Sequence, residues 1–251
     1  MMSGTILFGF HAISSRIRHH PESIIELFAG EDRKDPRMQT ILHWATQHPC
    51  PVHRVSNQRL DGLAGSPRHQ GIVAQVSVVI QKQDLFQLVE ERGADLTLLI
   101  LDGIQDPHNL GACLRVADAM GVQAVITPKD GSAPLSSVVA KVSSGASEWM
   151  PFYPVTNLAR TLDELKEMGV WTVGLDADAK LSLEQVPWAQ ENRALAWVLG
   201  SEERGLRRLT REHCDVLVHI PMLGQVESLN VSVAAGICLY WSQRQRSYRV
   251  I

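Results

Sequence analysis

The chain has 251 residues and a mass of 27.8 kDa, with 45% hydrophobic and 20% charged residues and a net charge of −3. This is globular composition with enough chain to bury a core, which excludes a disordered, collagenous or coiled-coil polypeptide and gives no bulk electrostatic sign of nucleic acid. Its longest apolar runs, such as Leu98–Leu101, fall far short of the ~18 residues that span a bilayer, and MMSGTILFGFHAISSRIR lacks the marks of an export signal; the expectation is a soluble cytoplasmic protein without a membrane partner.

In chain order, Ile6–Phe10 and Ser23–Phe28 read as strands, and Pro36–His48 carries Met38, Ile41, Leu42 and Ala45 at helical spacing. Val52–Val55 and the β-branched run Ile72–Ile80 read as further strands. Residues 1–80 hold eight Lys and Arg against six Asp and Glu, whereas the remainder holds sixteen against twenty-one. Seven of the ten histidines also fall in that first stretch. These shifts predict a small α/β domain over 1–80, a linker over 81–94 beginning in the polar run QKQD, and a second domain over 95–251. His48, Cys50 and His53 are near enough to suggest a metal, but the intervening prolines and the lack of a fourth ligand favour a surface loop, and no metal is expected. The four cysteines form no CxxC pair and read as reduced thiols.

The second region repeats a strand–helix rhythm. Strands are expected at Leu96–Leu101, Ala124–Thr127, Val170–Leu175, Ala194–Leu199 and Val216–Ile220. Helices are expected at Leu110–Met120, Leu135–Ser144, Asn157–Met168, Leu206–Cys214 and Val231–Gln243. Near-continuous apolar strands alternating with helices imply a parallel sheet covered on both faces. In such sheets ligands bind beyond the carboxyl ends of the strands.

Three of those strand exits carry unusual segments: Asp102 to Arg115, Gly200 to Gly205, and Pro221 to Gly236. None is a Walker, GxGxxG, GxSxG or HExxH motif. Asn109 is placed to cap the helix from Leu110. Arg115 lies off that helix's apolar stripe, as an ion pair with Asp118 or as a guanidinium aimed at a phosphate or reacting oxygen. Glu202 reads either as a first-turn acid or, between two glycines, as part of a ligand site. Ser228 and Asn230 suit caps of the last helix. Arg204, Arg207, Arg208 and Arg211 would share one face of a helix, as a solvated stripe or as bidentate phosphate contacts.

Asp106-Pro-His-Asn109-Leu-Gly-Ala-Cys-Leu-Arg115, Leu199-Gly-Ser-Glu202-Glu-Arg-Gly205 and the run from Ile220 through Ser228-Leu-Asn230 to Gly236 occur in this order. They resemble the three motifs of the SpoU (TrmH) family of SPOUT RNA 2′-O-methyltransferases. Phe8-Gly-Phe-His-Ala12 and His69-Gln-Gly-Ile-Val-Ala74 are similar to that family's ribosomal-protein-like RNA-binding domain. The resemblance implies an RNA substrate-binding domain over 1–80 and, in the C-terminal part, a parallel-sheet domain tied in a deep trefoil knot that binds S-adenosylmethionine (AdoMet). Gly200, Ile220 and Leu229 would contact AdoMet, largely through backbone groups. Asn109, Arg115, Glu202, Ser228 and Asn230 would form the catalytic constellation of a homodimer with composite sites.

The implied reaction methylates a guanosine ribose 2′-oxygen in 23S ribosomal RNA, free or in an assembling 50S particle. It needs neither metal nor covalent enzyme intermediate, because AdoMet carries an activated methyl group. In that family Arg115 stands where the base is sought. A guanidinium is almost never deprotonated, which favours orientation of a phosphate and stabilisation of an oxyanion. The alternatives are another ribosomal or transfer RNA site, or a non-catalytic RNA-binding assembly factor.

Overall fold

The computed structural model describes residues 5–31, 33, 35–77, 83–186, 193–202, 204–226 and 228–247. The chain divides into two compact units, one of residues 1–80 and 135–149, the other of 81–134 and 150–251.

The first unit holds β1 (Thr5–Phe8), α1 (Phe10–His19), β2 (Ile24–Gly30), α2 (Pro36–Thr46), β3 (Val52–Val55), α3 (Asn57–Ala64) and β4 (Ile72–Val76). Its sheet has the order β1-β4-β2-β3, antiparallel except for the parallel β2–β3 pair. The strand expected to run to Phe10 stops at Phe8, because Gly9 takes φ +89° and turns the chain into α1. Phe10 and Ile13 then bury one face of that helix, with Ile17 packed against the same core. Of the strand expected over Ile72–Ile80, residues 78–80 lie outside the described ones.

The second unit opens with α4 (Leu85–Arg92), where a linker was expected. Its cap explains the misreading: Asp84 and Gln87 form a capping box, so the start of this helix looks like a polar junction. Leu85, Leu88 and Val89 are spaced i, i+3, i+4 and are buried with Leu98, Ile100, Ala124 and Ile126. Only residues 81 and 82 of the expected linker lie outside the described residues.

β5 (Thr97–Asp102), α5 (Pro107–Ala119) and β6 (Ala124–Pro128) follow. The chain then makes an excursion as α6 (Ser137–Val142), which belongs to the first unit and not to the C-terminal domain in which it was expected. The reason is packing: Ala140 joins the core of Leu7, Phe10 and Ile13, and Trp149 stacks on His19 with centroids 5.0 Å apart. Glu148 forms a buried ion pair with Arg16.

The second unit resumes with β7 (Phe152–Val155), α7 (Leu158–Glu167), β8 (Trp171–Leu175), β9 (Leu181–Ser182), β10 (Leu195–Gly200), α8 (Arg208–His213), β11 (Val216–His219) and α9 (Val231–Ser247). The strands form one parallel sheet in the order β7-β6-β5-β10-β8-β11-β9. Leu98 to Leu101 are all fully buried, so both faces are covered, as the unbroken apolar run requires. On one face α4 and α7 pack against alternate strand residues. On α9, Val231, Ala234, Ala235, Cys238, Leu239 and Ser242 form the buried stripe, and Trp197 Nε1 of β10 donates to Ser242 Oγ at 3.1 Å.

Strand order positions the site. From β5 the chain builds outward through β6 and β7, then returns so that β10 fits between β5 and β8. The switch point is thus the β5–β10 pair, where the register sets Gly200 opposite Asp102. Two of the three unusual segments therefore begin side by side.

Candidate methyl-transfer site

The first segment forms the N-terminal turns of α5. The helix starts at Pro107, not Leu110, and its cap is Asp106, whose side chain accepts the His108 N–H at 2.9 Å. That backbone hydrogen bond, with the His108 and Asn109 contacts behind it, holds the Asp106 carboxyl below its usual value. The expected capping role of Asn109 is thereby overturned, and its side chain is free for other work.

The second segment doubles back over β10. Ser201 and Gly205 form a bridge, with the Gly205 N–H donating to the Ser201 carbonyl at 2.8 Å. A Cβ on Gly200 would stand 2.0 Å from the Gly205 carbonyl carbon and 2.3 Å from the Leu206 nitrogen, so only glycine allows this crossing. The turn presents Glu202 outward.

The third segment ends at the start of α9, where Asn230 does two jobs. Its Oδ1 caps the helix, accepting the Ser232 N–H at 3.0 Å and the Ser232 hydroxyl at 2.6 Å. Its Nδ2 donates to Asn109 Oδ1 at 2.9 Å and to Glu202 Oε1 at 2.5 Å. Glu202 Oε1 also accepts the Val231 N–H at 3.2 Å. Asn109, Glu202 and Asn230, which are 121 residues apart at the extremes, thus form one hydrogen-bonded group.

That group borders a cavity of about 210 Å³ whose lining includes Gly200, Glu202, Ile220, Ser228 and Leu229. All three residues expected at the cofactor line it, together with two of the five expected in catalysis. Leu175, Leu199 and Val231 add apolar wall, and Asp176 adds a carboxylate the sequence reading passed over. Asp176 follows the last residue of β8, so the strand-exit rule alone could have found it.

Arg115 is not brought to this group. It is exposed on α5, six residues beyond Asn109, and lines neither of the two cavities at the strand exits. The expected ion pair with Asp118 does not form, and Arg115 has no hydrogen-bonding or ionic partner among the described residues.

The arginine stripe is a further correction. Only Arg208 and Arg211 lie on α8, because Arg207 is its extended N-cap and Arg204 sits in the turn before. The four therefore do not share a helix face. Arg208 pairs with Glu212 at 2.7 Å, Arg211 with Asp176, whose side chain is 9% exposed, at 3.1 Å, and Arg207 packs against Asp102. His48, Cys50 and His53 also separate: His48 stacks on Trp44, and His53 stacks on Phe28 and meets Glu26 at 2.9 Å. Burial, reinforced by Glu202, pushes the Cys113 thiol up to about 12, so it offers no thiolate beside the site.

The first unit carries a different kind of surface. Gln70 Oε1 accepts the Phe10 N–H at 3.0 Å, which ties together the two segments that resemble an RNA-binding domain. Over them lie cations: Arg33 is 4.9 Å from the Phe10 ring centre and Lys141 is 5.5 Å from that of Phe8. Lys141 also donates to the Arg68 carbonyl at 3.3 Å. Burial and then the charge of Arg68 lower the Lys141 ammonium from its ordinary value.

Known proteins share both parts of this arrangement. Residues 97–240 match the SpoU rRNA Methylase family, and residues 6–79 match the RNA 2′-O ribose methyltransferase substrate binding family. The 23S rRNA (guanosine-2′-O-)-methyltransferase RlmB of Bordetella pertussis is 52% identical over 98% of this chain and 99% of its own. A crystal structure of an RNA 2′-O ribose methyltransferase superposes with a TM-score of 0.80 at 25% identity, covering 98% of this chain and 90% of that one. The SpoU methyltransferase AviRb from Streptomyces viridochromogenes, solved in complex with the cofactor AdoMet, shares the fold with a TM-score of 0.81 at 22% identity, over 98% and 91% of the two chains. With a family match over more than half its length and a relative this similar from end to end, the chain belongs to the SpoU rRNA methylase family.

Proposed function

We propose that this protein transfers a methyl group from AdoMet to the ribose 2′-oxygen of a guanosine in 23S ribosomal RNA, free or within an assembling 50S particle, in the cytoplasm. The observation that carries the reading is the hydrogen-bonded group of Asn109, Glu202 and Asn230, whose Glu202 lines a cavity walled by Gly200, Ile220 and Leu229. No helix of the described residues is long and apolar enough to cross a membrane.

The residues fit AdoMet. Leu199, Ile220 and Leu229 give apolar wall to a nucleoside, and Gly200 lines the same cavity, the place of its missing Cβ being taken by the Gly205 backbone that crosses it. Asp176 and Glu202 place negative charge where a cationic donor would lie. When bound, AdoMet supplies a methyl group already activated on a positively charged sulfur. The family match brings with it the expectation of a deep trefoil knot around the cofactor.

The chain's own residues then orient the acceptor. Asn230 pins Asn109 and Glu202, so neither spends ordering entropy when RNA arrives. Glu202 Oε1 receives two N–H groups and Oε2 receives none among the described residues, which leaves Oε2 to accept the 2′-proton as the new O–C bond forms. Ser228 places a hydroxyl beside Leu229 on the cavity wall. Arg115 orients an RNA phosphate and stabilises charge on the attacking oxygen.

Two features support a homodimer with composite sites. Arg115 lines neither of the two cavities at the strand exits of its own chain. Val233 and Tyr240, seven residues apart on α9, are 50% and 55% exposed, an apolar face suited to a second copy. RNA recruitment falls to the Arg33, Arg68 and Lys141 surface of the first unit and to the exposed Arg204 and Arg208.

The test is transfer of labelled methyl from AdoMet to unmodified 23S RNA, with transfer RNA as control. Label recovered as 2′-O-methylguanosine in 23S RNA supports the reading. Label confined to transfer RNA, or AdoMet and RNA binding without transfer to RNA or particle, overturns it.

A further inference from the structure

Beside the cofactor cavity lies a second, of about 290 Å³, whose Asp102 and Arg207 none of the roles above uses. Its walls come from the two exits that the β5–β10 register sets side by side, Asp102 to Asp106 with Asn109 from one and Ser201, Glu202, Arg204, Gly205 and Arg207 from the other. Ser201, Glu202 and Gly205 line both cavities, so whatever occupies the second shares a wall with the methyl donor.

Arg207 is held in this second cavity by an unusual set of contacts. Its backbone N–H donates to Asp102 Oδ2 at 2.9 Å, and its Nε stands 3.5 Å from Asp102 Oδ1. The Asp102 side chain is fully buried, and Oδ1 accepts no hydrogen bond. The far end of the guanidinium lies in a slot between two glycines: a Cβ on Gly103 or Gly131 would come within 3.1 or 2.9 Å of Nη2. Yet 52% of the Arg207 side chain remains exposed. A solvated surface arginine needs neither a buried carboxylate nor a side-chain-free slot. This one is aimed.

We propose that the second cavity is the acceptor-nucleoside subsite and that Arg207 reads the guanine base there, donating its two-pronged edge to O6 and N7, with Asp102 as the positioning residue. The inference rests on the methyltransferase reading and names the group that selects its base. Charge argues for a base over a phosphate. Among the described residues Asp102, Asp106 and Glu202 line the cavity against Arg204 and Arg207, an interior that repels an anion but accommodates a neutral nucleoside. A forked guanidinium matches the paired acceptors O6 and N7 of guanine, whereas adenine sets a donor beside N7 and is refused.

The experiment is methyl-transfer kinetics on one 23S fragment transcribed with either GTP or 7-deaza-GTP, which replaces N7 by carbon. Effects of deaza-guanines elsewhere in the RNA are common to every enzyme form and cancel on comparison. For the unaltered protein the substitution lowers kcat/KM about tenfold. Arg207→Ala and Arg207→Lys start lower and lose little more, the lysine variant because it keeps the charge and discards the fork. Asp102→Asn keeps an acceptor for the Arg207 N–H but weakens the hold on the guanidinium, so its N7 penalty shrinks while AdoMet affinity stays near normal. An equal penalty in the unaltered protein and the Arg207 variants, or none in the unaltered protein, overturns the inference. Absence of transfer from the unaltered protein to GTP-made 23S RNA or particle instead sinks the enzyme reading, and this inference falls with it.

Discussion

The two units of the chain hold their polar groups in opposite ways. At the β5–β10 exits of the second unit, Asn109, Glu202 and Asn230 bind one another, and the groups are neutral or acidic. On the first unit two cations, Arg33 and Lys141, lie over Phe10 and Phe8, and each is tethered to a backbone carbonyl. The difference follows from what each must do. Bond-making at one oxygen needs placement within fractions of an ångström, which mutual hydrogen bonds supply. Attraction of a polyanion needs a field, which tolerates displacement and falls with salt.

The largest effect expected from breaking this contrast is at Arg115, an exposed cation of the second unit that lies outside its hydrogen-bonded group. Arg115→Ala lowers kcat about a hundred- to a thousandfold, as removal of an oxyanion-stabilising group does, with AdoMet binding nearly intact by calorimetry. A normal turnover rate in that variant removes Arg115 from the mechanism. Next comes Gly200→Ala, whose Cβ would meet backbone at 2.0 Å. Backbone cannot yield as a side chain does, so the β10 exit must shift and AdoMet affinity falls tenfold or more; unchanged affinity would show that the crossing is not the cofactor cradle.

In the first unit the comparable weak point is the Arg16–Glu148 ion pair, with side chains only 11% and 6% exposed. Glu148→Ala leaves a buried guanidinium uncompensated, a loss of about 3–5 kcal/mol. Amides of α1 and β4 should then exchange faster, with those of β5 and β10 unaffected. Uniform acceleration in both units would deny them separate stability. The same pair predicts that a fragment of residues 1–80 folds poorly, since Glu148 and Ala140 are missing from it.

How much of this was legible in the sequence depends on the range of the interaction. The parallel sheet was readable because runs such as Leu98–Leu101 are apolar at every position, a signal local to each strand. The site residues were readable only through resemblance, since nothing in the spacing of Asn109, Glu202 and Asn230 brings them together. Strand order does, and strand order is a long-range property. The helix start at Pro107 was missed because Asp106 and Asn109 both suit a cap, and the proline at the first helical position decides between them. The excursion of residues 135–149 was missed because Ala140 and Glu148 find their partners more than a hundred residues away. α4 was lost in its own polar cap.

The smallest effects separate the arginines that once read as a single stripe. Arg208 is exposed and held only by Glu212 on the same helix, a pair that contributes little to stability. Arg208→Ala should therefore leave folding and AdoMet affinity alone and reduce the salt slope of RNA binding by about 1, as loss of one phosphate contact does. Lys141→Ala should do the same from the first unit. Arg211 is different, because its partner Asp176 is only 9% exposed at the side chain and lines the cofactor cavity. Arg211→Ala frees that carboxylate, so it should change AdoMet affinity severalfold and leave the salt slope as it was. Were Arg211→Ala to flatten the slope as Arg208→Ala does, the arginines would be acting as one polyanion-facing surface in spite of their separate partners, and the division between a pinned site and a steering field would not hold inside the second unit.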